Sequence, residues 1–181
     1  MTDKMTLVCV KKTGHVLAFV TRESDPEAKL EPGDVAGETL LVRFAGDPAA
    51  PAFNTARFLV PSEELTVEVK DYDDVVVTRS RDFYLDAAQA VVSASGAVPA
   101  VSLSGNSQIT VDLGTNVTEK TPVWIQVSSA IDPANTQVRE SDININTDQT
   151  VLDLLPLSTG VHHVLALVAG HHSFVQGIIA P

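Results

Sequence analysis

Apolar residues recur with a period of two along most of the chain, and valine, isoleucine and threonine dominate these runs. That is the signature of half-buried strands rather than helices. Met5–Val10 and His15–Thr21 flank the polar stretch Lys11-Lys12-Thr13-Gly14, so the chain is predicted to open with a hairpin whose glycine takes positive φ. Further strands are expected at Glu38–Phe44, Arg57–Val60, Glu64–Lys70 and Val75–Thr78. The acidic, proline-containing stretch Arg22–Gly33 reads as an exposed loop, and so does Ala45–Thr55 with Pro48 and Pro51. Over Asp82–Ala94 a helix competes with a strand. Phe83, Ala87, Ala90, Val91 and Ala94 share a helical face ahead of Gly96 and Pro99, while Val91-Val92-Ser93 also suits a strand.

The second half repeats strand signals at short intervals: Ala100–Leu103, Gln108–Leu113, Pro122–Ser128, Thr136–Arg139, Asp142–Asn146, Thr150–Leu155, Val161–Val168 and Phe174–Ala180. In Gln108–Leu113 and Val123–Val127 the alternation is clean, which predicts one buried and one wet face. Composition also changes near residue 98. From there to the end only Lys120 and Arg139 are cationic, against seven acids in 84 residues. The expected organisation is therefore a β-rich module over 1–97, with at most one short helix, followed by an antiparallel β-sandwich over 98–181. In architecture this half resembles an immunoglobulin-like sandwich. It lacks the Cys, Trp, Cys spacing of true immunoglobulin domains, since only Trp124 is present.

With 181 residues, 12 Lys plus Arg against 23 Asp plus Glu, a net charge of −11 and a pI near 4.7, the chain is acidic. It is long enough for a substantial core and poorly suited to neutralising phosphates, so nucleic acid is not an expected partner. The N-terminal apolar run ends at Lys11 after six residues, so no signal peptide or membrane insertion is expected. The expected location is the cytoplasm, or a particle assembled there. Cys9, the one cysteine, cannot close an intrachain disulfide, and its place in Leu7-Val8-Cys9-Val10 reads as a buried thiol rather than a nucleophile.

Candidate chemistry is sparse. His162-His163 and His171-His172 are the residues best suited to a metal. Neighbouring histidines on a strand face opposite ways, and His163 to His171 spans roughly 26 Å if extended, so one subunit does not bring all four together. The plainer expectation is one histidine of each pair near the core edge and its neighbour in water. Asp142–Asp148 with Asp153 loosely follows a calcium loop, but Thr147 replaces the turn glycine, and alternation explains the same residues with Ile143 and Ile145 inward. Asp71, Asp73 and Asp74 form an acidic turn. The pair Glu63 and Glu64 is a conceivable acid and base. There is no nucleophile elbow, phosphate-binding glycine loop, dinucleotide fingerprint or zinc-protease helix motif, so the balance leans away from an enzyme, and no cofactor is expected.

What remains is surface. Val161–Pro181 contains no Asp, Glu, Lys or Arg, so its strands should be either central in the sheet or covered by another chain. Val164, Leu165, Leu167, Phe174, Val175 and Ile178 are the expected interface residues in the second case. The leading expectation is a non-catalytic structural or interaction protein within a homomeric or heteromeric assembly. The alternative is a small-molecule or metal-binding module, with an enzyme among its forms, whose site lies at an oligomer interface.

Overall fold

The computed structural model describes residues 4–22, 30–45 and 55–181. The loops expected at 22–33 and 45–55 fall largely outside these. The N-terminal module is built on β1 (Lys4–Val10), flanked by β2 (Val16–Arg22) and β5 (Leu65–Asp71) in an antiparallel sheet. A hairpin of β3 (Thr39–Ala45) and β4 (Thr55–Pro61) and a short one of β6 (Phe83–Leu85) and β7 (Val91–Ser93) complete its sheets. The opening hairpin forms as predicted. Gly14 sits at φ +74, where a Cβ would collide with the Leu85 carbonyl oxygen. Gly14→Ala is expected to lose about 1–3 kcal/mol of stability to strain and collision, measured by urea denaturation.

Two expectations fail here. Val75–Thr78 is not a strand but part of the one-turn helix α2 (Asp74–Thr78), because Asp73 caps it: its Oδ1 accepts the Val75 N–H at 2.8 Å. With α1 (Pro32–Ala36) before β3, the module has two short α-helices rather than at most one. The helix competing for Asp82–Ala94 does not form. Asp86 Oδ1 accepts both the Ala88 and Ala90 N–H at 2.9 Å, Gln89 turns through φ +60, and the chain doubles back as β6–β7. The Asx turn overrides the alanine propensity.

The C-terminal half is a seven-stranded antiparallel sandwich. One sheet runs β12 (Gln149–Asp153), β9 (Gln108–Asp112), β8 (Ala100–Ser104); the other runs β11 (Thr136–Ile143), β10 (Thr121–Ser129), β13 (Gly160–Val168), β14 (Phe174–Ala180). Their facing sides share one core of Ile109 and Val111 with Val123, Ile125, Val127, Val164, Ala166 and Val168. The strands expected at Thr136–Arg139 and Asp142–Asn146 are a single strand ending at Ile143. Beyond it the Thr147 hydroxyl donates to the Asn144 carbonyl at 2.7 Å and Asn146 sits at φ +63, a turn that leaves Ile145 exposed rather than inward.

The largest departure concerns the other face of β10, which the alternation of Val123–Val127 predicted to be wet. Trp124 and Gln126 on β10 and Leu165 and Leu167 on β13 are fully buried, against Val8, Val10, Phe44, Phe58 and Leu65 of the N-terminal module. A core of the molecule thus straddles residue 98. β1 is likewise buried on both sides, with Val8 and Val10 toward the sandwich, and Met5, Leu7 and Cys9 toward Val76 and Leu85.

Candidate interaction surface

The expected interface residues divide once the layers are known. Val164, Leu165 and Leu167 are fully buried within the chain itself, and Ile178 is 7% exposed. They are not a surface, because β13 is central in its sheet and covered on both sides, and Ile178 on β14 packs into the sandwich core. Phe174 and Val175 are half-buried against the same two cores. Of the uncharged C-terminal hairpin, Ile179 stands out at 70% exposure on the edge strand β14.

The histidines do not converge. His162 Nε2–H donates to the Ser158 carbonyl at 2.8 Å, while His163 points to the opposite side of β13. Both are buried, contrary to the expectation of one solvated partner, because the third layer covers the second face. Burial and the neighbouring His162 push the His163 pKa down. At the far end of β13, His171 and His172 are half-buried, and His171 Nδ1 lies 3.1 Å from the Ala97 carbonyl oxygen. Among the described residues no group of three or more His, Cys, Asp or Glu comes together. Cys9 is buried, which pushes its thiol up to about 12. Glu64 accepts the Trp124 indole N–H at 3.0 Å, whereas Glu63 is exposed.

The calcium-like stretch does something else. Asp142 bridges the modules, with Lys12 Nζ and Lys120 Nζ each 2.9 Å from one of its oxygens. These ammonium groups hold its carboxyl below the usual range. Asp153 instead accepts from Gln108 at 2.9 Å. Beside the lysines, a cleft of about 680 Å³ runs between the β1–β2 turn, the β6–β7 turn and residues 119–122, with Tyr84 and Gly170 in its walls. His15, which the sequence did not single out, closes the junction next to it. Its Nε2–H donates to the His171 carbonyl at 2.9 Å and its Nδ1 accepts from the Thr13 hydroxyl at 3.1 Å. Burial pushes its pKa down to about 4.

The sequence also did not reveal an arginine face on the β3–β4 hairpin. Arg43 and Arg57 are direct cross-strand partners and both are exposed, beside the pair Leu41 and Leu59. Like charges in this arrangement repel, and neither guanidinium forms an ion pair among the described residues. Nearby, Arg81 stacks 4.2 Å over the Phe44 ring and donates to the Arg43 carbonyl at 2.6 Å. Arg57 also lines a crevice of about 250 Å³ with Thr55, Ser129, Pro133, His163 and Ile131, the last 92% exposed. Arginine is among the residues in which protein interfaces are enriched.

The strand order of the C-terminal half, three strands facing four with antiparallel pairing throughout, defines an immunoglobulin-like sandwich. No protein-family model matches the chain, and no curated protein does. Among solved structures it is similar to the crystal structure of chicken CNTN1 FN1-FN3 domains, at 15% sequence identity and a TM-score of 0.32, covering 99% of this chain and 54% of that one. The chain thus spans about half the length of the solved chain it matches. No helix among the described residues is long and apolar enough to cross a membrane.

Proposed function

We propose that this chain is a non-catalytic structural or interaction protein, working as a component of an assembly through protein–protein contact. The observation that carries this reading is the surface of the β3–β4 hairpin and its neighbour loop. There Arg43 and Arg57 lie opposed, without acidic partners among the described residues, next to Leu41 and the protruding Ile131. A folded chain keeps two like charges face to face at a cost in stability, and a carboxylate brought by another protein relieves it. Homomeric and heteromeric forms both fit, and fold alone does not choose, because sandwiches host many functions. Light scattering of the untagged protein over a wide concentration range tests the homomeric form. A discrete multimer is expected, while a monomer at every concentration would remove that form.

A further inference from the structure

Resting on the homomeric form of that reading, we propose that the Arg43/Arg57 face binds the acidic turn Asp71–Val75 of a second copy of this chain, in a head-to-tail contact. The face offers two cations with no ion-pair partner among the described residues, flanked by apolar Leu41 and Ile131, the latter bordering Arg57 across the small crevice. The turn offers the complement. Asp71, Tyr72, Asp73 and Asp74 are all exposed, and Tyr72 and Val75 show 40% and 52% of their surface; Asp71 pairs with Lys4 and Asp73 caps α2, so Asp74 is the carboxylate the turn has to offer. Both patches therefore join charge of opposite sign to exposed apolar side chains, so one contact pairs charge and covers apolar surface together.

Charge decides why the occupant is placed here and not elsewhere on a second copy. The chain carries −11 overall, so two copies repel at long range and associate only where local complementarity is strong. Within the described residues the other cations are largely engaged: Lys4 with Asp71, Lys12 and Lys120 with Asp142, Lys70 with Glu68, Arg79 with Asp82, and Arg139 with the Asp153 carbonyl. Arg43 and Arg57 are left with charge to offer. Because the two patches lie on different elements of the same chain, the contact is heterologous. Repeated, it closes a ring or extends a filament, according to the rotation it imposes.

A charge-swap experiment tests this. In one variant Arg43→Glu and Arg57→Glu reverse the face; in a second, Asp74→Arg reverses the charge of the turn, while Asp71 keeps its pair with Lys4. Asp73 is left intact because it caps α2. All three positions are exposed, and circular dichroism checks that each variant is folded. Each alone is expected to need about tenfold or more concentration to assemble than the parent chain. Mixed one to one, the two should recover assembly, since each supplies the partner charge the other lacks. Raising the salt should weaken both parent and mixed assemblies. Variants that assemble as readily as the parent chain would overturn this contact and leave the assembly reading standing. Loss in both variants without recovery on mixing would also overturn it. A monomeric parent chain at all concentrations would overturn the homomeric reading itself.

Discussion

Trp124→Ala is expected to lose about 3–5 kcal/mol of folding stability, the range for deleting a large buried aromatic side chain. The indole is fully buried where the sandwich meets the N-terminal module, packed with Phe58, Leu65, Leu165 and Leu167. Removing it leaves a cavity that neither layer can fill without moving its backbone. Domains are typically only about 5–15 kcal/mol stable, so the variant should stand near the edge of unfolding. Urea denaturation followed by circular dichroism measures it, with Ile131→Ala as an exposed control expected to change little. A loss below about 1 kcal/mol for Trp124→Ala would contradict the shared core. One cooperative transition in the parent chain is expected for the same reason, since a core straddles the two halves.

The second large effect is in pH. His15 is 1% exposed and its pKa is pushed down to about 4 by burial, with His171 and His172 adding like-charge repulsion. The groups facing it are the Thr13 hydroxyl, the His171 carbonyl and the Tyr84 ring. Both ring nitrogens are satisfied in the neutral form, so protonation brings a buried charge with no carboxylate to receive it. In the unfolded chain the same imidazole titrates near 6.5. Between about pH 6.5 and 4, therefore, the unfolded state binds a proton that the folded state refuses, and stability falls as pH is lowered through this window. The full loss is about 3 kcal/mol. The shift at His163 adds in the same direction. Asp142 works in a lower window. Its depressed carboxyl contributes stability above the ordinary carboxylate pKa, lost only as pH falls below that. Denaturation between pH 7.5 and 4.5 should show the slope, and His15→Gln, which keeps a donor for the His171 carbonyl, should reduce it by about one proton. An unchanged slope in that variant would place the titration elsewhere.

The strand positions were legible because alternation is a property of single segments. Val123-Trp124-Ile125-Gln126-Val127 announces a strand with two unlike faces, and it is one. What alternation does not carry is whether the second face meets water or another layer. Leu165 and Leu167 between Val164, Ala166 and Val168 make the run apolar on both sides, the local sign of a strand covered twice. Trp124 is the same sign on β10. The missed helix α2 and the unformed helix over Asp82–Ala94 both turned on one aspartate each, Asp73 as a cap and Asp86 as a turn former, where a side chain's bond to nearby N–H groups outweighs summed propensity. The arginine face was hidden for a different reason. Arg43 and Arg57 become neighbours only through the register of β3 on β4, which separate strand readings do not supply. His15 acquires its partner 156 residues away, a distance no local pattern spans.

The double covering of β1 bears on the order in which the chain is made. This strand is synthesised before the other described strands, yet Val8 and Val10 complete their surroundings only with Trp124, Leu165 and Leu167. Until those residues emerge an apolar strand has one of its two faces unsheltered, and contacts of such long sequence separation form slowly. Growth from the N-terminus thus leaves β1 waiting on β10 and β13, and the nascent chain is vulnerable to wrong partners until β13 emerges.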